Sequence, residues 1–441
     1  YTLTAGTFTA GANLTLTGSW SHATAATFNH NNGIVTFIGG NAQTIGGTKT
    51  SETYYDVVVN KTSGTTLSRT GSIATITARN FTQTQGDFTA TGATLTLSGN
   101  YTLSAGTFTP GTTFNLGGDW THQSGATFTV GTGTTTFNGT GTQTIAGTFG
   151  SETFYNFTVN KTAGSLLTVD PSISSLTVNS LTQTQGNFTT ADAFVINGNA
   201  TFTAGTFTAG TTMNFKGNIT KATAATFNAG TSTTTFDASV AQTINGTSSS
   251  ITFNNVVLNK GLSTALAFGG SVATVTMNDL THTLGTFTAP ATVNINGSLS
   301  QSGGTYTAGT TLNLYGNFTR SGGTFTAGTG TVKLVGSTSA QSVGGTATTT
   351  FYGLQLNNTY SSAPQISAAQ NINVSNTLTL TSGIVDLAAN TITLGTPVAN
   401  PGTLAGGSAT AYLSKGTLNR WFNTTTIANG NIRGLFPVGD H

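Results

Sequence analysis

The amino-acid sequence predicts an all-β protein that folds as a parallel β-solenoid, and three observations support this prediction. Threonine, valine and phenylalanine, which favour strands, alternate with glycine and asparagine, which favour turns. No window shows the 3.6-residue period of an amphipathic helix. A long internal repeat contains a shorter one of about 20 residues. We expect a right-handed solenoid, the hand that strand twist favours.

The long repeat is marked by a Thr-aromatic-Thr triplet. Its aromatic residue recurs at intervals of 100, 99 and 99 residues, at Phe8, Phe108, Phe207 and Tyr306. The segment SETYYDVVVNKT at Ser51 also returns as SETFYNFTVNKT at Ser151. The sequence therefore predicts a solenoid over residues 1–396, made of super-repeats at about 1–100, 101–199, 200–298 and 299–396.

The short repeat lies inside the long one. Phe8 and Phe28 are 20 residues apart, and three such steps separate Phe28 from Phe88. A unit this short buries a core only by stacking on its neighbours. We therefore expect five coils per super-repeat and a rod of roughly 95 Å from about twenty coils, at one strand spacing per coil.

The alternation within strands predicts which side chains point inward. The predicted core comprises Phe8, Leu14, Leu16, Phe28, Val35, Phe37, Val57, Val59, Phe88, Leu95, Leu97, Phe108, Phe128, Phe188, Phe207, Phe227, Phe287, Tyr306 and Phe325. Tandem β-sandwiches would also give the long period, but they would not give the 20-residue period. A β-propeller has longer blades.

The repeat fades near Leu394, and two prolines follow within five residues. Lys415, Arg420 and Arg433 then concentrate basic charge near the end of the sequence. Because a solenoid end exposes unpaired strand edges, we interpret residues 397–441 as a cap, or as the truncated start of another β domain.

Composition excludes several classes of partner. Only 5% of residues are charged and the net charge is +2, so we expect no nucleic-acid partner. No apolar run reaches eighteen residues, so we expect no membrane-spanning segment. The sequence has no cysteine. It begins at Tyr1 inside a repeat, and we interpret it as a mature or partial stretch of a longer polypeptide.

The sequence predicts no catalytic residue, cofactor site or metal site. Glu52 and Asp56 form the best local carboxylate pair, which we interpret as a turn and strand-edge pair. His22 and His30 flank one segment without a third ligand, and solvated turn positions explain them. We therefore do not expect an enzyme.

Two sets of polar residues recur at one position of successive super-repeats, and we expect both on the surface. The first set is His22, His122, Lys221 and Arg320, and the second is Lys61, Lys161 and Lys260 with Asn358. Five coils would separate neighbours by about 24 Å at the strand spacing. Charges spaced in this way discourage side-by-side aggregation. They could also bind a polyanion weakly.

Adjacent aromatic residues give a second candidate surface contact. Tyr54 and Tyr55 are neighbours in one predicted strand, as are Phe154 and Tyr155 in the next super-repeat. One member of each pair must face outward, where it could stack on the sugar rings of a surface glycan.

Several segments resemble the β-strand-repeat proteins of Bacteroidota. They are GTQTIAG, TFYNFTVNKTAG, and LTLTSGIVDLAANTITLG followed by FPVGD. The resemblance implies a large extracellular or cell-surface protein that is exported by the type IX secretion system and is adhesive. It implies the secretion machinery and outer-surface components as partners. The C-terminal sorting domain of that route is not visible in the sequence.

We therefore expect a rigid stalk or fibre segment of a surface adhesin, with self-association into fibres as a further expectation. The alternative is a glycan-binding module or a polysaccharide-degrading enzyme on the same scaffold. Ice binding would need an unbroken Thr-x-Thr array on one face, and SGTTLSRTGS and GGTKTSET interrupt the Thr-Phe-Thr series.

Overall fold

The computed structural model describes residues 1–396 and 400–421, and it confirms the predicted fold class. All regular elements in these residues are strands, and the ladders between them are parallel. The chain forms two compact units, residues 1–213 with 222–228, and residues 214–221 with the described residues from 229 onward. Together the units contain about 19 coils, which lie about 21 residues apart in sequence.

Most of the strands are short, and the longest is Ile372–Asp386 with 15 residues. Residues 1–100 contain Thr2–Leu3 (β1), Gly6–Thr9 (β2), Asn13–Leu16 (β3), Trp20–His22 (β4), Ala26–Asn29 (β5), Ile34–Gly39 (β6), Gln43–Gly47 (β7), Ser51–Thr53 (β8), Asp56–Lys61 (β9), Thr66–Arg69 (β10), Thr75–Ala78 (β11), Asn80–Gln85 (β12), Asp87–Thr89 (β13) and Thr94–Leu97 (β14). Residues 101–199 contain Tyr101–Leu103 (β15), Gly106–Thr109 (β16), Thr113–Leu116 (β17), Trp120–His122 (β18), Ala126–Phe128 (β19), Thr134–Phe137 (β20), Gln143–Gly147 (β21), Ser151–Asn160 (β22), Leu166–Val169 (β23), Ser175–Gln185 (β24), Asn187–Thr189 (β25) and Ala193–Ile196 (β26).

The later super-repeats follow the same order. Residues 200–298 contain Ala200–Phe202 (β27), Gly205–Thr208 (β28), Thr212–Phe215 (β29), Ile219–Lys221 (β30), Ala225–Asn228 (β31), Thr233–Phe236 (β32), Gln242–Asn245 (β33), Ser250–Thr252 (β34), Asn255–Asn259 (β35), Ala265–Phe268 (β36), Thr274–Met277 (β37), Leu280–Leu284 (β38), Thr286–Thr288 (β39) and Thr292–Ile295 (β40). The remaining strands are Leu299–Gln301 (β41), Thr305–Thr307 (β42), Thr311–Leu314 (β43), Phe318–Arg320 (β44), Thr324–Thr326 (β45), Thr331–Leu334 (β46), Gln341–Gly344 (β47), Thr349–Asn357 (β48), Ile366–Ala368 (β49), Ile372–Asp386 (β50), Thr391–Leu394 (β51), Thr403–Gly406 (β52), Ala411–Ser414 (β53) and Thr417–Arg420 (β54).

Three strands make one coil. In the first unit β1 pairs with β4 and β3 pairs with β6, and paired strands up to β21 lie three places apart along the chain. In the second super-repeat β22 takes the place of β8 and β9, and β24 that of β11 and β12, so partners there lie two places apart. Three faces result. Face 1 contains β1, β4, β7, β10, β13, β16 and β19. Face 2 contains β8, β11, β14, β17, β20, β22 and β24. Face 3 contains β3, β6, β9, β12, β15, β18, β21, β23, β25, β28 and β31.

The prediction of five coils per super-repeat is wrong, because the first super-repeat is one strand short of five coils. Residues 1–100 hold fourteen strands, β1 to β14, and fourteen strands at three per coil make four and two-thirds coils. The second super-repeat therefore begins one face away from the first. His22 lies in β4 on face 1, and its equivalent His122 lies in β18 on face 3. Equivalent residues thus do not form a straight column.

The interior holds stacked aromatic rings, as the Thr-aromatic-Thr repeat predicts. The Phe88 ring stacks on Phe108 at 5.8 Å between centroids, and Phe108 stacks on Phe128 at 5.7 Å. In the second unit Tyr306 lies 5.2 Å from both Phe287 and Phe325. Of the predicted core, the half-buried residues are Phe8, Leu14, Phe28 and Phe128, and the others are buried.

Adjacent coils approach too closely for a side chain at some turns. Gly106 has a φ of +77°, and a Cβ there would lie 1.8 Å from the carbonyl oxygen of Gly86. Gly205 and Gly186 repeat this arrangement at 1.9 Å. Only glycine fits such a left-handed turn under a neighbouring backbone, which explains why the Ala-Gly-Thr-Phe-Thr motif keeps its glycine.

The second unit continues the same coil pattern past the predicted boundary at residue 396. Strands β52 and β53 pair in parallel with β50, and β54 pairs with β51. The coils therefore extend to Arg420, because the strands after the prolines still find ladder partners. Residues 397–399 and 422–441 of the predicted cap, including Arg433, lie outside the described residues.

Candidate functional site: polar side chains buried inside the coils

The polar residues that the sequence analysis placed on the surface point into the coils. His22, His122 and Lys221 are 2%, 1% and 9% exposed, and Arg320 is half-buried. In β4, Trp20 and His22 are both buried while Ser21 between them is not. The prediction of a surface set was therefore wrong, because strand alternation places these residues on the same side as the core.

His22 is paired with a buried carboxylate. Its Nδ1 lies 2.8 Å from Glu52 Oε2, and its Nε2 lies 3.1 Å from the Ala26 carbonyl oxygen. Since a carbonyl only accepts, Nε2 must donate, and a second proton is held between Nδ1 and the carboxylate. Burial raises the pKa of Glu52 above its ordinary value.

The second super-repeat builds the same pair on another face. His122 Nδ1 lies 3.0 Å from Glu152 Oε2, and Trp120 Nε1 donates to that oxygen at 2.8 Å. His122 Nε2 lies 3.2 Å from the Ala126 carbonyl oxygen. Phe149 stacks on the imidazole at 4.4 Å beside a cavity of about 300 Å³. Both ring nitrogens of His122 are engaged by the protein, so the pair has the contacts of a structural element.

The pair changes where the carboxylate is absent. Ile251 occupies the position of Glu52 in β34, and there the equivalent of His22 is Lys221, which donates to Ser248 Oγ at 2.9 Å. In the fourth super-repeat Arg320 Nε donates to Thr349 Oγ1 at 3.0 Å. Each copy therefore fills the same interior position with a hydrogen-bonded polar pair.

A second buried polar set joins successive coils, and we call it the Gln–Lys clamp. In the second super-repeat Gln143 Nε2 donates to the carbonyls of Leu116 at 2.9 Å and Gly118 at 2.5 Å, one coil earlier. Lys161, one coil later, donates from Nζ to Gln143 Oε1 at 2.6 Å and to the Gly139 carbonyl at 2.9 Å. Three consecutive coils are thus held by two side chains.

The clamp is repeated in the other super-repeats. The distance from Lys61 Nζ to Gln43 Oε1 is 2.7 Å, and that from Lys260 Nζ to Gln242 Oε1 is 2.5 Å. Asn358 takes the place of lysine in the fourth copy and donates to Gln341 Oε1 at 3.1 Å. Lys61, Lys161 and Lys260 were also predicted on the surface. That prediction was wrong, since each is at most 1% exposed.

Burial of the clamp lysines disfavours their charged form. Desolvation lowers the pKa of Lys161 and of Lys260 to about 8, from the usual 10.5. It also lowers the pKa of Lys61. These ammonium groups donate to backbone carbonyl and glutamine amide oxygens, which are neutral, so the hydrogen bonds do not pair the charge with an anion.

These shifts predict a protein that becomes more stable as the pH rises from about 8 towards 10. In that window the unfolded lysines still bind protons that the folded ones have released, so the free energy of unfolding increases with pH. Burial raises the pKa of Tyr101, so the unfolded tyrosine ionises first and the gain reverses above about pH 10.

Chemical denaturation at pH 7, 8, 9 and 10 checks this prediction, with the Lys161→Met/Lys260→Met double variant as the comparison. In the variant the free energy of unfolding should rise less steeply with pH, since the variant lacks the two lysine ammonium groups. An equal rise in both proteins would contradict the assignment of the pH dependence to Lys161 and Lys260.

The aromatic pairs separate as predicted, one inward and one outward. Tyr54 and Phe154 are buried, which removes both as surface contacts. Tyr55 is half-buried, with Arg79 over its ring at 4.1 Å and the His30 ring 5.8 Å away. Its ring is therefore already covered on the side of Arg79. Tyr155 is 36% exposed.

The carboxylate pair of the sequence analysis does not form a site. Glu52 faces inward to His22, whereas Asp56 forms a surface ion pair with Arg79 at Nη2–Oδ2 2.5 Å. Within residues 1–396 and 400–421, no group of three histidine, aspartate or glutamate side chains could hold a metal ion. In the same part of the chain, no helix is long and apolar enough to cross a membrane.

Comparison with known proteins gives no relative for this chain. No family model, no curated protein and no solved structure matches the sequence or the fold.

Sequence reasoning missed Gln43, Glu52 and their equivalents as partners of the buried cations. A signal was present, because Gln and Lys of each clamp lie 18 residues apart in three super-repeats. That spacing is about three residues shorter than one coil, which places both side chains at one corner of the solenoid.

Proposed function

We propose that the chain is a non-catalytic structural segment, a rigid stalk or fibre segment of an extracellular surface adhesin. The observation that carries the proposal is the Gln–Lys clamp, which recurs in three super-repeats and is conservatively altered at Asn358 in the fourth. A catalytic site interrupts a repeat at one place, whereas a spacer needs the same interior in every copy.

The clamp supports a mechanical role. Parallel ladders run along the stacking direction, so pulling neighbouring coils apart breaks hydrogen bonds of the backbone. At each clamp, separating the coils must also break the hydrogen bonds of Lys161, or of its equivalent, to Gln143 and to the carbonyl of the adjacent coil. Buried charge-assisted hydrogen bonds are among the stronger ones, so we expect the clamps to resist separation of the coils.

Location and partners belong to the same proposal. The resemblance to Bacteroidota β-strand-repeat proteins supports an extracellular or cell-surface position reached through the type IX secretion machinery. Outer-surface components and further copies of the chain are the proposed partners. The glycan-binding and polysaccharide-degrading alternative has less support, because Tyr54 and Phe154 are buried and Arg79 covers Tyr55.

Deleting one super-repeat in the producing cell tests the proposal. We expect an antibody against the chain to label intact cells, and we expect deletion of residues 101–199 to bring the label closer to the cell surface and reduce adhesion. The matched control replaces residues 101–199 by a copy of residues 200–298, which keeps the number of coils and should restore both.

Three outcomes would contradict the proposal. Label that appears only after cells are permeabilised would argue against a surface position. An unchanged label distance in the deletion would argue against a spacer. Release of soluble sugars from a polysaccharide by the purified chain would argue for an enzyme.

A further inference from the structure

Face 2 of the first unit carries a regular array of small neutral side chains. Seven successive strands keep one register, and two outward positions on each form two parallel ranks. The ranks consist of Ser51, Thr75, Thr94, Thr113, Thr134, Asn156 and Ser180, and of Thr53, Thr77, Thr96, Asn115, Thr136, Thr158 and Thr182. All fourteen are exposed or half-buried, and none carries a charge. We call this surface the threonine array.

The array is periodic in two directions. Neighbours within a rank lie about 4.8 Å apart, and the two ranks lie roughly 6.6 Å apart, as the strand geometry sets. Threonine is restricted at χ1, so successive residues can present their hydroxyl and methyl groups in the same orientation. Each hydroxyl donates one hydrogen bond and accepts others, so repeated side chains hold first-shell water at repeated positions.

The other faces of this unit carry interrupted arrays. On face 1 Thr44, Ser68, Thr89 and Thr109 form one outward rank, but Asp87 places a charge in the rank beside it. On face 3 the outward positions include Asp56 and Val58. The segment SGTTLSRTGS, which interrupts the Thr-Phe-Thr series, forms β10 on face 1. The other interruption, GGTKTSET, supplies β8, whose Ser51 and Thr53 continue the two ranks of face 2.

We propose that the threonine array binds the surface of ice. A face without charge offers nothing to an ionic partner, and a two-dimensional lattice of hydroxyl and methyl groups fits a partner that is itself a neutral lattice. The array repeats in two directions, so water held by neighbouring hydroxyls lies in rows and can join a growing crystal. This activity is independent of the stalk role.

Thermal hysteresis and partitioning of the full chain into growing ice test the proposal. The unsubstituted chain should separate melting and freezing temperatures and should enter the ice. The Thr96→Tyr/Thr136→Tyr double variant should lose both activities, since two bulky rings break the ranks. Thr109→Tyr is the matched control, because Thr109 faces outward in β16 on face 1, and it should keep both.

Several results would overturn the proposal. They are absence of hysteresis in the unsubstituted chain, full hysteresis in the double variant, and equal loss in the Thr109→Tyr control. Binding to crystalline chitin or cellulose without partitioning into ice would assign the array to a polysaccharide instead. Circular dichroism checks folding, and if the double variant is misfolded, Thr113→Lys places a single charge in the array and must give the same loss.

Discussion

Replacing Glu152 by alanine is expected to destabilise the surrounding coils by about 3–5 kcal/mol, because it removes one partner of a buried polar pair. Glu152 is 3% exposed and accepts hydrogen bonds from Trp120 Nε1 and from the His122 ring. Without the carboxylate, Trp120 Nε1 and His122 Nδ1 remain buried and lose this hydrogen-bond acceptor. The cavity left beside Phe149 adds to the loss.

Hydrogen exchange measured by mass spectrometry is the appropriate readout for this variant. Stacked repeats interact with their nearest neighbours, so the loss should appear in peptides that cover β18 and β22 before it appears in distant coils. Thr153→Ala is the matched control, since Thr153 is exposed in the same strand and should change exchange little. Comparable protection in Glu152→Ala and Thr153→Ala would show that the pair of His122 and Glu152 contributes nothing to the stability of these coils.

The third super-repeat explains why such a pair is replaceable only as a whole. There Ile251 stands at the carboxylate position and Lys221 at the histidine position, and Ser248 accepts the lysine hydrogen bond. Exchanging both members leaves no orphaned polar group, whereas Glu152→Ala alone leaves two. A double-mutant cycle on His122 and Glu152 should therefore show a large coupling energy.

The fold class could be predicted from the sequence because it depends on periodicity. Phe88, Phe108 and Phe128 lie 20 residues apart, and the structure stacks them ring on ring. The number of coils per super-repeat could not be predicted in the same way. It depends on the total of fourteen strands, and the short strands between the aromatic markers have no strong sequence signature.

That error of one strand also hid the threonine array. The threonine array combines different motifs from two super-repeats. They are Thr-Ile-Thr at 75–77, Thr-Leu-Thr at 94–96, Thr-Phe-Asn at 113–115 and Thr-Thr-Thr at 134–136. They meet on face 2 because β11, β14, β17 and β20 are successive in one ladder. Comparing equivalent motifs of the super-repeats cannot reveal this face.

The buried polar residues were misplaced for a different physical reason. Lysine and histidine are mostly exposed in folded proteins, so an isolated Lys161 or His122 in a sparsely charged chain favours the surface interpretation. Burial becomes acceptable only when hydrogen-bond partners are supplied, and those come from Gln143 and Glu152, 18 and 30 residues away. The partners are visible only once the coil length is known.

Replacing Gln143 by alanine is expected to cost roughly 3–5 kcal/mol, since it orphans several buried groups that each carry about 1–3 kcal/mol. The Leu116 and Gly118 carbonyls lose their donor, and the Gly139 N–H and the Lys161 ammonium lose their acceptor. Lys161 keeps the Gly139 carbonyl at 2.9 Å. A partly unpaired cation in a site that already disfavours its charge should release its proton at lower pH than in the parent chain.

Two comparison variants separate the clamp from general packing. Thr144→Ala removes the neighbouring outward side chain of β21 and is expected to stay within about 0.5 kcal/mol of the parent chain. Lys161→Met removes the cation together with its desolvation cost, so we expect it to destabilise less than Gln143→Ala. If denaturant unfolding ranked Lys161→Met as the more harmful change, the lysine and not the glutamine would hold the three coils together, and the clamp would act through its charge.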